Sequence, residues 1–213
     1  MRVNFQGFPP RMTLLVNHPQ RAAIRSRLQQ NIVLRRLATA AFDELERDLA
    51  IVDYRKGDVL LTQGAHDMEQ YFVIDGILKR VVASPEGKEM ILRFAQEDDM
   101  DTSYAAWKLR TPAPYSIRAV TKAQVAKLAL PQWAGFLDRH PDLKEDFEYE
   151  IMHLMSEVMA HTITLHLLDA PGRVHRFMRK HGELSERVPK KELASYLNLS
   201  AETLSRLKHA GKI

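Results

Sequence analysis

Residues 190–209 read Lys190-Lys-Glu-Leu-Ala-Ser-Tyr-Leu-Asn-Leu-Ser-Ala-Glu-Thr-Leu-Ser-Arg-Leu-Lys-His209. Small Ala194 and turn-forming Asn198 fall between Leu193, Leu197, Leu199, Leu204 and Leu207, which sit where two short helices must meet. That frame predicts a helix-turn-helix. A small side chain lets the helices approach, and the turn wants a residue tolerant of left-handed backbone, for which Asn is next best to Gly. Ser200 then stands as N-cap of the second helix. With Leu204 and Leu207 turned inward, Glu202, Ser205 and Arg206 share the opposite face. Arg206 can donate two hydrogen bonds to guanine O6 and N7, and Glu202 can accept one from cytosine N4. Around them Lys190, Lys191, Lys208 and Lys212 are candidate phosphate contacts, which fix register without reading sequence. A Glu and an Arg four apart also suit an ordinary intrahelical ion pair. The whole frame, not that pair, points to double-stranded DNA as the partner.

Charge supports the same end of the chain. The net charge is +4 over 213 residues, but residues 171–213 carry ten Lys or Arg against Glu183, Glu186, Glu192 and Glu202. Residues 1–36 hold seven Arg and no acid, which leaves 37–170 strongly acidic. An acidic body with a basic terminal unit is the layout expected when one end meets a polyanion.

Outward from the motif, Pro171-Gly172 predicts a break ahead of a small helical unit, 171–213. Before it, residues 141–170 predict a long helix with Leu143, Phe147, Ile151, Leu154, Val158, Leu165 and Leu168 on a stripe interleaved with Met152, Met155 and Met159. So much apolar surface on one helix suggests a second copy of the chain as its partner, a homodimer. Between Ile51 and Leu130 short β-branched and aromatic runs alternate with Gly57, Gly64, Gly76 and Gly87, the pattern of an antiparallel roll or sandwich. Asp75-Gly76 reads as the strongest hairpin signal there. Residues 20–50 have helical spacings, and 1–20, with Gly7, Pro9, Pro10 and Pro19, read as an irregular N-terminal arm. The expected class is therefore α+β: an antiparallel, jelly-roll-like β-roll over 21–140, a long helix and a C-terminal helix-turn-helix.

This order of parts resembles the Crp/Fnr superfamily of bacterial transcription regulators across residues 25–213. The resemblance is carried by Lys56-Gly57-Asp58-Val59-Leu60, Gln63-Gly64, Tyr71-Phe72-Val73-Ile74-Asp75-Gly76, Ser84-Pro85-Glu86-Gly87-Lys88-Glu89 and Ser200-Ala201-Glu202-Thr203-Leu204-Ser205-Arg206. It implies a sequence-specific DNA-binding regulator of transcription, a homodimer on a palindromic operator with RNA polymerase as a further partner. It also places Ser200 and Thr203 beside Glu202, Ser205 and Arg206 in the DNA-binding set, a spelling similar to the branch that reads TTGAT-like half-sites. The chain ends soon after the second helix, so the expected wing is truncated or absent.

Departures from the family pattern set the expectation for effectors. Where cyclic-nucleotide-binding members hold the ribose, this chain reads Asp98-Asp99-Met100-Asp101-Thr102-Ser103, and at the phosphate clamp it places Ala113 and Pro114. Without an Arg there is no bidentate clamp, so cyclic AMP is not expected. Zero cysteines exclude disulfides, thiol switching and iron–sulfur clusters. No cofactor or metal is expected; haem is the alternative, with His18 the candidate axial ligand. No catalytic signature appears and no enzyme is expected. The absence of long apolar runs predicts no membrane partner and a cytoplasmic protein. The competing reading is a small-molecule or haem-based sensor acting through protein contacts.

Overall fold

The computed structural model describes residues 12–209. Among the described residues nine strands form two antiparallel sheets. The first runs β1 (Met12–Leu14), β2 (Ala50–Tyr54), β9 (Ala123–Ala129), β4 (Glu69–Asp75) and β7 (Met100–Thr102) across its width. The second runs β3 (Val59–Leu61), β8 (Ser116–Ala119), β5 (Leu78–Ala83) and β6 (Glu89–Ala95). Phe72 on β4 lies opposite Ala126 of β9 and Met100 of β7, so one central strand fixes the register of both neighbours.

Around the sheets lie α1 (Arg21–Leu28), α2 (Thr39–Leu45), α3 (Tyr104–Lys108) and α4 (Leu130–Arg139). From there α5 (Pro141–Leu167) leads to α6 (Ala170–Lys180), α7 (Gly182–Arg187), α8 (Lys190–Tyr196) and α9 (Ala201–His209). Trp133 of α4 is fully buried, edge-on to Phe72 at 5.4 Å and stacked on Phe136 at 5.7 Å. Phe147 of α5 enters the same cluster edge-on to Trp133 (5.3 Å) and Tyr104 (5.0 Å). Leu143 and Leu154, four before and seven after Phe147, are buried with it, as the 3.6-residue period requires. The same period turns Met152, Met155 and Met159 outward, 58–65% exposed. No helix among the described residues is long and apolar enough to cross a membrane.

Three local expectations need correction. The described part of the N-terminal arm is not irregular: Met12–Leu14 pair with β2, and Leu15 is fully buried. Glu46, also fully buried, receives two hydrogen bonds from Arg21 and one from Arg25, which ties α1 to the end of α2. Secondly, Pro171 and Gly172 do not break a helix but open one. The chain turns at Leu168, Asp169 accepts a hydrogen bond from the Gly172 amide, and Pro171 sits in the first turn of α6, where its missing N–H costs nothing.

Finally, Asp75-Gly76 is no hairpin. β4 and β5 belong to different sheets, so the glycine turns the chain across the roll; the hairpin in this region joins β5 to β6 through Gly87. Gly76 has φ +90°, its amide is held by Glu97, and a Cβ there would fall 2.8 Å from the Ala123 Cα. Gly87, at φ +82°, faces open space. Gly76→Ala is therefore expected to lower the unfolding free energy by well over about 1 kcal/mol, and by more than Gly87→Ala does. Urea midpoints of the two variants check this.

Candidate nucleic-acid interface

The turn between α8 and α9 is built from backbone geometry the sequence demands. Asn198 adopts φ +52°, and the amides of Asn198 and Leu199 bond back to the carbonyls of Ser195 and Ala194. Arg173 of α6 donates to the Leu197 carbonyl at 3.0 Å, placing a cation at the end of α8. Ser200 Oγ accepts the Thr203 amide at 3.1 Å, an N-cap that satisfies one of the free donors of α9. Leu193, Ala194, Leu197 and Leu204 are buried between the helices.

On the opposite side Glu202, Ser205 and Arg206 are exposed on one face of α9, with Thr203 half-buried beside them. Glu202 and Arg206 form no ion pair with each other. The Ser200 hydroxyl, and then the Glu202 backbone, hold the Glu202 carboxyl below its usual range, so it is an acceptor at neutral pH. Lys190 and Lys191 are exposed at the start of α8. The Lys208 side chain, Lys212 and the region of the expected wing lie outside the described residues.

Sequence reasoning missed two groups here. Arg173, whose contacts join α6 to the turn, looked like one more surface cation. Tyr196 was also missed: its ring lies flat on His161 of α5, centroids 3.8 Å apart and 4° from parallel. Phe94 of β6 packs against the same tyrosine at 5.2 Å. No periodicity within one segment can reveal a stack between α5 and α8.

The roll interior is closed by charge. Asp101, fully buried, accepts from Arg80 Nε at 2.7 Å and from the Thr102 amide at 2.7 Å. Arg80 lies 4.8 Å over the Tyr115 ring, and both side chains donate to the Thr102 carbonyl. Burial opposes its charge, but Asp101 keeps the guanidinium firmly protonated. Arg93 stands on the other side of Asp101 at 3.6 Å. Ala113, at the position of the family's clamp, is buried and engages Ala65 through its backbone. A cavity of about 180 Å³ adjoins Arg93, lined also by Asp99, Glu150, His153, Glu157 and His181.

The fold and site define a class of protein: a β-roll joined by a long helix to a helix-turn-helix. Residues 51–140 match the cyclic nucleotide-binding domain family. The chain is 19% identical over 164 residues to the cAMP-activated global transcriptional regulator CRP of Salmonella typhimurium, covering 72% of this chain and 78% of that protein. It is 22% identical over 190 residues to the nitrogen fixation regulation protein FixK of Bradyrhizobium diazoefficiens, covering 84% and 78%. The structure of FixK2 from Bradyrhizobium japonicum superposes with a TM-score of 0.66 at 16% identity, covering 76% of this chain and 86% of that one. The chain is thus similar, over most of its length, to regulators of the Crp/Fnr type. These relatives are transcription regulators, not enzymes.

Burial lowers the His161 imidazole to about 4, and the charges of His181, Lys180 and Arg176 push the same way against a backbone hydrogen bond at Tyr196. The unfolded chain thus binds a proton that the fold excludes. Stability from the neutral stack is complete above the ordinary value of 6.5 and is lost as pH falls towards about 4. His161→Phe, which keeps an aromatic face on Tyr196, is expected to flatten the melting temperature against pH between those values.

Proposed function

We propose that the chain is a sequence-specific regulator of transcription that binds a palindromic operator as a homodimer and needs no cyclic nucleotide. The observation that carries the reading is the exposed Glu202, Ser205 and Arg206 face on an N-capped helix whose other face is packed. Such a helix enters the major groove, with Lys190 and Lys191 set against the backbone phosphates. RNA polymerase is the further partner on this reading.

Dimerisation is supported by α5. Met152, Met155, Met159 and Ile163 recur at intervals of three and four and lie exposed on a helix whose other face is riveted to the roll. Two such faces together make a coiled-coil seam, which spaces two recognition helices about one DNA turn apart, roughly 34 Å.

Independence from cyclic nucleotides is supported by the roll's own charges. The residues at the clamp positions do not fit a cyclic phosphate: Ala113 and Pro114 supply no cation. The buried cation Arg80 is already neutralised by Asp101, and Arg93 by Asp99 and Asp101. A phosphate brought there would have to displace a buried carboxylate.

Selection from a random duplex library with ligand-free protein tests the whole reading. A palindrome with TTGAT-like halves is the expected product, and calorimetric titration with cyclic AMP should give no binding heat. Recovery of no preferred sequence would favour a sensor working through protein contacts. On the selected duplex, Arg206→Ala should cost about 1–3 kcal/mol and relax preference at one base pair, whereas Lys191→Ala should weaken selected and scrambled DNA alike. Met159→Glu should shift the sedimentation profile from dimer to monomer and cost operator affinity.

A further inference from the structure

The helical unit does not stand apart from the roll. Ile77, Ile91, Phe94 and Val120 of the roll form one buried cluster with Val174, Phe177, Leu184, Val188, Leu193 and Tyr196 of the helical unit. Ion pairs surround that apolar centre. Lys79 of β5 meets Glu192 of α8 at 2.7 Å, and Lys180 of α6 meets Glu157 of α5 at 2.7 Å. Between β6 and β7, Glu97 takes Arg187 in a two-pronged grip, NH2 to Oε1 at 2.6 Å and NH1 to Oε2 at 2.7 Å.

The Glu97 grip has the form in which arginine holds a phosphate: two parallel N–H donors on two oxygens of an anion. Arg187 is an exposed side chain that precedes Lys190 and Lys191 by three and four residues, on the approach to α8. Glu97 is itself fixed, because its Oε1 accepts the Gly76 amide at the strained turn. Burial works against its charge, yet Arg187 and backbone hydrogen bonds hold the carboxyl below its usual range.

We propose that the docked arrangement is a self-inhibited state, in which Glu97 of the roll occupies Arg187 as a DNA phosphate would and operator binding requires its release. The proposal rests on the DNA-binding reading above. Roll and operator then compete for one cation, and the roll holds it at rest.

Glu97→Gln tests this in the full-length chain, because the amide oxygen still accepts from Gly76 while the anion is gone. On the selected duplex, Glu97→Gln should bind about 3- to 10-fold tighter than the unaltered protein near 0.15 M salt. The slope of log K against log salt should steepen, because salt no longer favours binding by weakening a competing ion pair. Amides of α6–α8 should exchange faster in the DNA-free variant. Arg187→Ala should weaken binding, and adding Glu97→Gln to it should bring no gain. Equal affinity and slope for Glu97→Gln and the unaltered protein would overturn the latch while leaving DNA binding standing, as would a gain that persists without Arg187. Failure of all the variants and the unaltered chain to bind any duplex would instead overturn the functional reading.

Discussion

Phe147 is the side chain on which the arrangement of the molecule turns. Locked edge-on against Trp133 and Tyr104, it fixes the rotation of α5 about its own axis. An α-helix advances about 100° per residue, so one fixed residue sets the direction of all the others. Leu154 follows Phe147 into the roll, and the methionines are carried to the far side. Ten and fourteen residues after Phe147, about three and four turns on, Glu157 and His161 are presented to the helical unit. One aromatic anchor thus decides which surface is free for a second chain and which meets α6 and α8.

The roll's interior is organised by a second constraint. A fully buried carboxylate cannot be left alone in a medium of low dielectric, and Asp101 recruits Arg80 and Arg93 to either side. Such a pair is weak evidence for stability, since apolar residues of equal volume often do as well. Its consequence is spatial. Arg80 is paired with Asp101, and Arg80 and Tyr115 both donate to the Thr102 carbonyl, so the buried guanidinium is already matched by a carboxylate. Arg93 continues outward, 3.9 Å from Glu157, which pairs with Lys180. Charge therefore alternates without a gap from the roll interior to α6.

Much of this was legible in the residues because the determining interactions are local. Asn198 and Ser200 dictate a turn and a cap within a few residues of themselves, and the alternation of Leu193, Leu197, Leu204 and Leu207 follows helical period. The failures are equally physical. Asp75-Gly76 has the chemistry of a tight turn, but whether the strands on either side pair with each other is decided by Ala123 and Glu97, far away in the chain. Pro171 is a helix breaker only inside a helix; Asp169, two residues before it, makes it a helix starter. Met12–Leu14, three residues long, are too few to declare a period, and an edge strand this short needs only backbone hydrogen bonds to β2. Arg80 could not be told from the other arginines, since its burial depends on Asp101 across the sheets.

The helical unit gives the docked state its character. A segment of about 40 residues buries too little apolar surface to be secure alone, and here Phe94, Ile91, Ile77 and Val120 complete its core. Apolar burial of this kind is not screened by salt and does not depend on the sign of a neighbouring charge. It can hold the unit but cannot register the approach of DNA. The ion pairs at the rim can, because exposed pairs are weak, screened and open to exchange for a denser anion. Lys180 and Arg187 have only carboxylates to satisfy them in the free chain, whereas a duplex offers a phosphate every few ångströms. The division of labour follows from the chemistry: the aromatic and aliphatic centre sets where the unit rests, and the charged rim sets when it leaves.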